Sequence, residues 1–206
     1  VDRAGLVGAD GETHHGCFDA MFLSQIPGFT VLCPSNFAEL RHMVRQALFE
    51  ISGPVAVRYP RGGEGDFRED TSAQAAVCLR PGKDVTLLGC GKMINNLLTA
   101  AALLAQQGID ARVVKLNRIS PLDYETLQEP LASTEMLLVA EDAFGAGCLG
   151  QRVTSILAEA GKPPHRVILK NLGKTFAPEG TVAQLEHSFG LDAQGIAEAV
   201  LEAREP

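Results

Sequence analysis

The feature that most constrains the fold is a regular alternation of short apolar runs with longer amphipathic stretches. In the second half of the chain, strands are predicted at 85–89, 111–116, 136–140 and 167–171. The stretches between and after them predict helices at about 93–107, 148–160, 181–189 and 193–203, with a short helix opening at Ser120. Strands that alternate with helices favour a mainly parallel sheet covered on both faces, so the predicted fold class is α/β.

The first 59 residues show the same alternation with fewer elements. A short strand at Leu6 runs into the first loop, and further strands are predicted at 30–33 and 55–59. Helices are predicted at about 17–24 and 36–51. Asn36 is suited to cap the last of these helices, with Glu39 three residues later as in a capping box. A parallel sheet normally has more strands than this, so we expect the N-terminal part of this domain to be missing from the chain.

One stretch of the chain has the composition of a linker. Residues 60–83 begin with PRGGEGD, continue with small and polar residues, and end at Pro81 and Gly82. Glycine and proline clusters of this kind are typical of segments between folded units. The predicted domain limits are 1–70 for the first domain, 71–83 for the linker and 84–206 for the second domain.

Charge and cysteine usage restrict the classes of function. The chain has 206 residues and a formal net charge of −7, which does not favour nucleic acid or an anionic membrane as a partner. No apolar run approaches the roughly 18 residues that a membrane-spanning helix needs. The five cysteines contain no C-x-x-C pair, which argues against a zinc site or a disulfide framework and favours a reducing cytoplasm.

The polar stretch GADGETHHG at residues 8–16 is the first candidate site. Asp10 and Gly11 suit a turn, and loops at the carboxyl ends of parallel strands are where open α/β sheets bind ligands. A histidine there can act as a general acid or base, or can donate a hydrogen bond to an oxyanion. The spacing is equally compatible with an exposed turn that contains histidine. A metal site is disfavoured because adjacent side chains diverge.

The stretch GAGCLG at residues 145–150 matches the dinucleotide-binding pattern G-x-G-x-x-G between a strand and a helix. The strand that follows, at 167–171, ends without the Asp or Glu that would hold a ribose. The favoured interpretation is therefore that these glycines allow a tight turn and close packing of the helix on the sheet.

Arginines near a strand end form another candidate binding feature. Arg58 and Arg61 lie in the segment RYPRGG, and Arg3 precedes the histidine loop. The guanidinium group forms forked hydrogen bonds with phosphate or carboxylate. Taken alone, the segment is a solvated strand end, and it becomes a candidate anion site only if these loops converge.

The stretch DRAGLVGADGETHHGCFD at residues 2–19 resembles the signature of the 1-deoxy-D-xylulose-5-phosphate synthase family, transketolase-like enzymes that depend on thiamine diphosphate. Further matching segments follow in the same order: IPG at 26–28, PS at 34–35, GPVAVRYPRG at 53–62 and ED at 141–142. The resemblance covers the whole chain and is densest over residues 2–62. Transketolases share the D-G-x-T-H core, whereas the DRAG and RYPRG frames are typical of the synthases.

The resemblance implies a fold, a reaction and an assembly. The chain would hold the late part of the pyrimidine-binding domain and the whole transketolase C-terminal-like domain. The full enzyme would be a homodimer that condenses pyruvate with D-glyceraldehyde 3-phosphate, releasing CO2, in the first step of the methylerythritol phosphate isoprenoid pathway. It would need thiamine diphosphate and Mg²⁺. The family's metal-binding motif and its cofactor-activating acidic residue are absent here, so this chain alone is expected to be inactive.

The resemblance also assigns residues to roles. His14 matches the active-site histidine of the family, and Asp10 matches an aspartate near the substrate hydroxyls. Arg3 and Arg61 match the arginines that hold the phosphate of glyceraldehyde 3-phosphate. His15 stands where the family varies and receives no role, and no residue of this chain is assigned to the cofactor or to a metal.

Two alternatives to a synthase fragment stay open at this point. The chain is also compatible with one subunit of a split transketolase, or of a related thiamine-dependent enzyme, that needs a partner chain. The third possibility is a non-catalytic dimerisation module or pseudoenzyme remnant that keeps the fold.

Overall fold

A computed structural model describes residues 1–8 and 10–205. Ala9, which belongs to the predicted histidine loop, and Pro206, the last residue of the predicted second domain, lie outside the described residues. The helices are α1 Asp19–Ser24, α2 Phe37–Phe49, α3 Met93–Gln106, α4 Tyr124–Gln128, α5 Leu149–Glu159, α6 Val182–Ser188 and α7 Ala193–Arg204. The strands are β1 Thr30–Leu32, β2 Val55–Val57, β3 Ala76–Arg80, β4 Val85–Cys90, β5 Ala111–Leu116, β6 Arg118–Ser120, β7 Met136–Ala140 and β8 Arg166–Lys170.

The larger sheet has five strands in the order β3-β5-β4-β7-β8. Strands β5, β4, β7 and β8 run parallel, and β3 joins one edge antiparallel to β5. Consecutive residues of β4 enter different cores: Leu87 belongs to the one formed with α3 and α7, and Leu88 to the one formed with α5 and the first part of the chain. Both faces are therefore buried, which confirms the predicted mainly parallel α/β sheet.

Strand β3 lies inside the stretch for which the sequence predicts a linker. Ala76–Arg80 pairs antiparallel with β5, so part of the interval 71–83 belongs to the larger sheet. The strand is short, is nowhere fully buried and exposes Cys78, as an edge strand can. Its apolar run, AAVCL at residues 75–79, is a strand signal that the linker prediction overlooked. The remaining domain limits, 1–70 and 84–206, stay predictions.

The smaller sheet joins the two halves of the chain. Its order is β2-β1-β6, with β1 and β2 parallel and β6 antiparallel to β1. The predicted strands near 30–33 and 55–59 are present but shorter. The strand expected at Leu6 is wrong, because the segment forms only isolated bridges from Ala4 and Gly5 to Gly16. Gly5, with φ of +74°, breaks the extended conformation just before it.

The first turn of α2 shows half of the predicted capping box. The Asn36 side chain accepts from the Glu39 amide at 2.9 Å, as expected. The Glu39 carboxylate does not return this bond; it accepts from the amide of Ser35 at 2.8 Å and from Lys115 Nζ at 2.8 Å. Glu39 and Lys115 are both fully buried. Glu39, which the sequence predicts as the second member of the capping box, therefore forms an ion pair between α2 and β5 instead.

Candidate active site

The histidine loop is built on a single 3₁₀ turn, Gly11–Thr13. Gly11 opens this turn with φ of +68°, a conformation that glycine adopts without steric cost. His14 follows the turn with an exposed side chain, whereas the neighbouring His15 is buried. The two rings thus diverge, and His14 is the one that faces solvent.

The predicted residues Asp10, Arg3 and Arg61 come together. One oxygen of the Asp10 carboxylate lies 3.6 Å from Arg3 Nη1 and also accepts a hydrogen bond from Arg61 Nη1. All three side chains are more than one third exposed, so the ion pairs contribute little stability. Each guanidinium has further N–H donors that Asp10 does not use, so the two arginines together are suited to bind an anion.

Neither arginine lies within a strand, although the sequence places Arg61 near a strand end. Arg3 lies in irregular backbone with φ of +60°, and Arg61 follows the end of β2 by four residues. The structure joins them through Asp10. His14 is not part of this ion-pair group among the described residues; its Nδ1 lies 2.8 Å from the Thr13 hydroxyl.

His15 is held by two backbone groups of fixed polarity. The Val7 amide donates to its Nδ1 at 3.1 Å, so this nitrogen carries a lone pair. Its Nε2 lies 3.1 Å from the Pro178 carbonyl oxygen, which can only accept, so this nitrogen carries the proton. The contacts therefore specify one neutral tautomer of His15, a residue to which the sequence assigned no role.

A buried ion pair supports the end of the histidine loop. Arg58 donates through Nε and Nη2 to the two carboxylate oxygens of Asp19, and Nη2 also donates to the Gly16 carbonyl at 3.2 Å. Both ionic side chains are nearly inaccessible to solvent. Arg58 is thus a structural residue, and of the two arginines in RYPRGG only Arg61 is exposed for binding.

The glycine pattern at residues 145–150 is not free to bind a phosphate. The Glu141 carboxylate accepts from the first amides of α5, Leu149 and Gly150, at 2.9 Å each. Burial raises the pKa of Glu141, while these two donors oppose the rise. A Cβ on Gly150 would lie 2.5 Å from a Leu169 methyl carbon, so this glycine permits close helix–sheet packing. The packing interpretation is confirmed here.

The acidic residue after Glu141 reaches the other half of the molecule. Asp142 Oδ2 accepts from the Leu6 amide at 3.3 Å, and the Phe144 amide donates to the Cys17 carbonyl at 2.9 Å. The resemblance marked the Glu141–Asp142 pair without giving it a task. The structure shows that one carboxylate caps a helix and the other touches the segment that leads into the histidine loop.

Two further properties of the described residues bear on the class of protein. Within residues 1–8 and 10–205, no helix is long and apolar enough to cross a membrane. In the same part of the chain, no group of three or more His, Cys, Asp or Glu side chains is arranged to hold a metal ion.

Two models of known protein families match this chain. The family model described as the transketolase pyrimidine binding domain matches residues 1–63. The one described as the transketolase C-terminal domain matches residues 74–196, more than half of the chain. The chain belongs to the transketolase family.

Curated relatives narrow the similarity within that family. The chain is 40% identical over 209 residues to the 1-deoxy-D-xylulose-5-phosphate synthase of Chlorobium luteolum, covering 98% of this chain and 33% of that protein. The synthase of Desulfitobacterium hafniense strain DCB-2 is 38% identical over 206 residues, covering 97% of this chain and 32% of that protein. The chain thus spans about one third of the length of these relatives.

A solved structure has the same fold. It is described as a split gene transketolase, an inactive beta4 tetramer, and it superposes with a TM-score of 0.76 at 30% identity. The match covers 93% of this chain and 62% of that one.

Proposed function

We propose that this chain is the C-terminal third of a 1-deoxy-D-xylulose-5-phosphate synthase. The observation that carries the proposal is the meeting of Arg3, Asp10 and Arg61, with an exposed His14 four residues after Asp10 in the same loop. The synthases named above, at 38–40% identity along almost the whole chain, support the same reaction. The reaction joins pyruvate, with loss of CO2, to D-glyceraldehyde 3-phosphate as the first step of the methylerythritol phosphate isoprenoid pathway.

The residues present suit the aldehyde half of this reaction. Attack on an aldehyde carbon places negative charge on its oxygen, and an exposed imidazole such as His14 is suited to donate a proton to it. Asp10 can accept hydrogen bonds from substrate hydroxyl groups. Arg3 and Arg61 supply cationic donors for the phosphate at the other end of the substrate.

The cofactor half of the reaction is assigned mainly to residues outside this chain. Residues 1–63 match the transketolase pyrimidine binding domain, which supports a contribution of this chain to the cofactor site. We infer that Mg²⁺ and the diphosphate are held by carboxylates supplied from elsewhere in the complete protein. Thiamine diphosphate would supply the carbanion chemistry from a site that other residues complete.

The isolated chain is accordingly expected not to bind thiamine diphosphate tightly, even with Mg²⁺, and not to consume pyruvate. Calorimetric titration of the 206-residue chain checks the first point, and a pyruvate assay checks the second. Micromolar binding by this chain alone would show that the cofactor site has been placed wrongly.

The two arginines are expected to recognise the phosphate of the acceptor. A charge-assisted contact contributes about 1.5–3 kcal/mol, so Arg3→Ala or Arg61→Ala should lower kcat/KM for glyceraldehyde 3-phosphate by roughly 10- to 100-fold. Arg61→Lys restores the charge without the fork and should recover only part of the loss. The measurement uses a chimera in which this chain replaces the matching third of the Chlorobium luteolum synthase.

The control for this prediction is glyceraldehyde without its phosphate, which offers these arginines no anion to hold. Arg41→Ala, an exposed arginine on α2, is the matched control variant. If the arginine variants lose the same factor with both acceptors, the arginines maintain structure and do not recognise phosphate.

A second candidate is one subunit of a split transketolase that needs a partner chain. The structural neighbour favours it, since that protein is described as a split gene transketolase and is inactive in its beta4 form. Activity that appears on mixing this chain with separate diphosphate-binding domains, and that prefers sugar donors to pyruvate, would support this candidate over the synthase.

The assembly and location follow from the same proposal. We expect the complete protein to be a homodimer, and the neighbour's tetrameric description is compatible with self-association. A cytoplasmic location is proposed from the cysteine usage, since the structure records all five cysteines as free thiols.

A further inference from the structure

The segment that carries the candidate active site lies against two loops of the C-terminal region. One is the loop after β7, which contacts it through Asp142 and Phe144. The other precedes α6 and contacts it through Pro178. The histidine loop is thus supported by a part of the chain more than a hundred residues away. The contacts identify which residues on each side provide this support.

The two surfaces fit closely. A Cβ on Gly5 would lie 1.6 Å from Asp142 Oδ2, and a Cβ on Gly8 would lie 3.2 Å from the Gly180 carbonyl oxygen. The first contact is shorter than real Cβ atoms allow, so a larger residue at position 5 would displace the Asp142 side chain. The fit fixes the path of the segment that enters the histidine loop.

Aromatic packing holds the segment that leaves the loop. The ring of Phe18 lies 5.3 Å from that of Phe144 and 5.7 Å from that of Phe176, measured between centroids. Both partners belong to the same two C-terminal loops. Such pairs add modestly to apolar burial, and here they anchor the chain three residues after His15.

Between these two anchors, His15 supplies the polar link. The residue is 9% exposed, and the two nitrogens of its ring bond to Val7 and to Pro178. The first bond stays within the N-terminal segment, whereas the second crosses to the loop before α6. Loss of the ring would leave a buried amide and a carbonyl without their partners.

We propose that His15 is a positioning residue that couples the C-terminal region to the active-site loop. By fastening its ring to the Pro178 carbonyl, it sets the backbone of the loop so that the adjacent His14 side chain faces outward, toward the acceptor. The role given to His14 rests on the proposed function. The coupling itself rests on the contacts of His15.

The first test is spectroscopic and uses the 206-residue chain. Long-range ¹H–¹⁵N correlation of the histidine rings is expected to show His15 with its proton on Nε2. The exposed His165, just before β8, serves as the internal comparison and is expected to show exchanging tautomers. A proton on Nδ1 of His15, or an exchanging mixture, would overturn the link to Pro178.

The second test uses three substitutions that keep different parts of the ring's bonding. Glutamine places an N–H donor near the position of Nε2, asparagine places an acceptor near Nδ1, and alanine keeps neither. Amide hydrogen exchange in residues 10–16 is expected to speed up in His15→Ala and to recover in His15→Gln more than in His15→Asn. If residues 10–16 exchange at the same rate in all three variants as in the unsubstituted chain, His15 has no coupling role.

The activity arm uses the same chimera with the Chlorobium luteolum synthase. Because small misplacements of catalytic groups are costly, His15→Ala should lower kcat by about tenfold, and His15→Gln should restore most of it. Recovery by asparagine but not by glutamine would mean that the Val7 bond matters and the Pro178 bond does not. If the unsubstituted chimera is inactive, the proposed function fails, while the tautomer and exchange results still decide the coupling.

Discussion

Lys115→Met is expected to lower the free energy of unfolding by about 3–5 kcal/mol, the usual cost of leaving one partner of a buried ion pair unpaired. Lys115 and Glu39 are both fully buried, with Nζ and Oε1 2.8 Å apart. Burial lowers the pKa of Lys115, and the Glu39 charge opposes that fall. Methionine keeps most of the side-chain volume, so the loss reports on the buried partners of Nζ, which are Glu39, Thr71 and Asn117, rather than on a cavity. Urea unfolding of the 206-residue chain measures it.

Two further variants make this test specific. Arg45→Ala breaks an exposed ion pair with Glu50, whose atoms lie 3.4 Å apart, and should change stability by less than about 1 kcal/mol. The double variant Glu39→Gln/Lys115→Met removes both charges, while glutamine keeps an acceptor for the Ser35 amide, so it should recover part of the loss. A Lys115→Met loss no larger than that of Arg45→Ala would contradict the prediction.

His14→Ala, in the chimera with the Chlorobium luteolum synthase, is expected to reduce kcat by about 10²-fold or more. This is the usual scale for loss of a positioned acid–base group. The ring is exposed directly after the 3₁₀ turn, in the loop whose Asp10 joins Arg3 and Arg61, and this position supports the assignment. Steady-state kinetics with pyruvate and glyceraldehyde 3-phosphate measure the effect.

The adjacent histidine provides the sharpest comparison. His15→Ala should lose less, about tenfold, because its ring acts through the loop and does not touch the substrate. His165→Ala, an exposed histidine just before β8, is the matched control and should leave kcat nearly unchanged. Equal losses for His14 and His15 would show that the role given to His14 is wrong.

The sequence by itself determined the architecture of the second half of the chain and the composition of the candidate site. Consecutive apolar residues such as Leu87 and Leu88 need two covered faces, and the helical stretches between strands provide them. These signals are local, since each can be recognised within a few residues. The signature at residues 2–19 likewise identified Arg3, Asp10 and His14 as candidates, and Arg61 followed from the RYPRG frame.

Local patterns were insufficient where pairing is distant in the sequence. Strand β3 carries the apolar run AAVCL at residues 75–79, but its glycine- and proline-containing flanks predicted a linker, and only the pairing with β5 makes it part of the sheet. Glu39 follows the capping-box pattern, but its carboxylate bonds to a lysine 76 positions away. A buried charge finds its partner only when the whole fold excludes water, and helix-capping rules contain no information about that.

In the candidate site, too, some features follow from local sequence and others only from tertiary contacts. The sequence presents His14 and His15 as adjacent and chemically alike, and the resemblance alone separates their roles. Only the tertiary structure turns one ring to solvent and fastens the other between Val7 and Pro178, because the second bond spans 163 positions. The tautomer of His15 and the meeting of Arg3 with Arg61 are set by groups brought together on folding, since neither can be inferred from residues close in sequence.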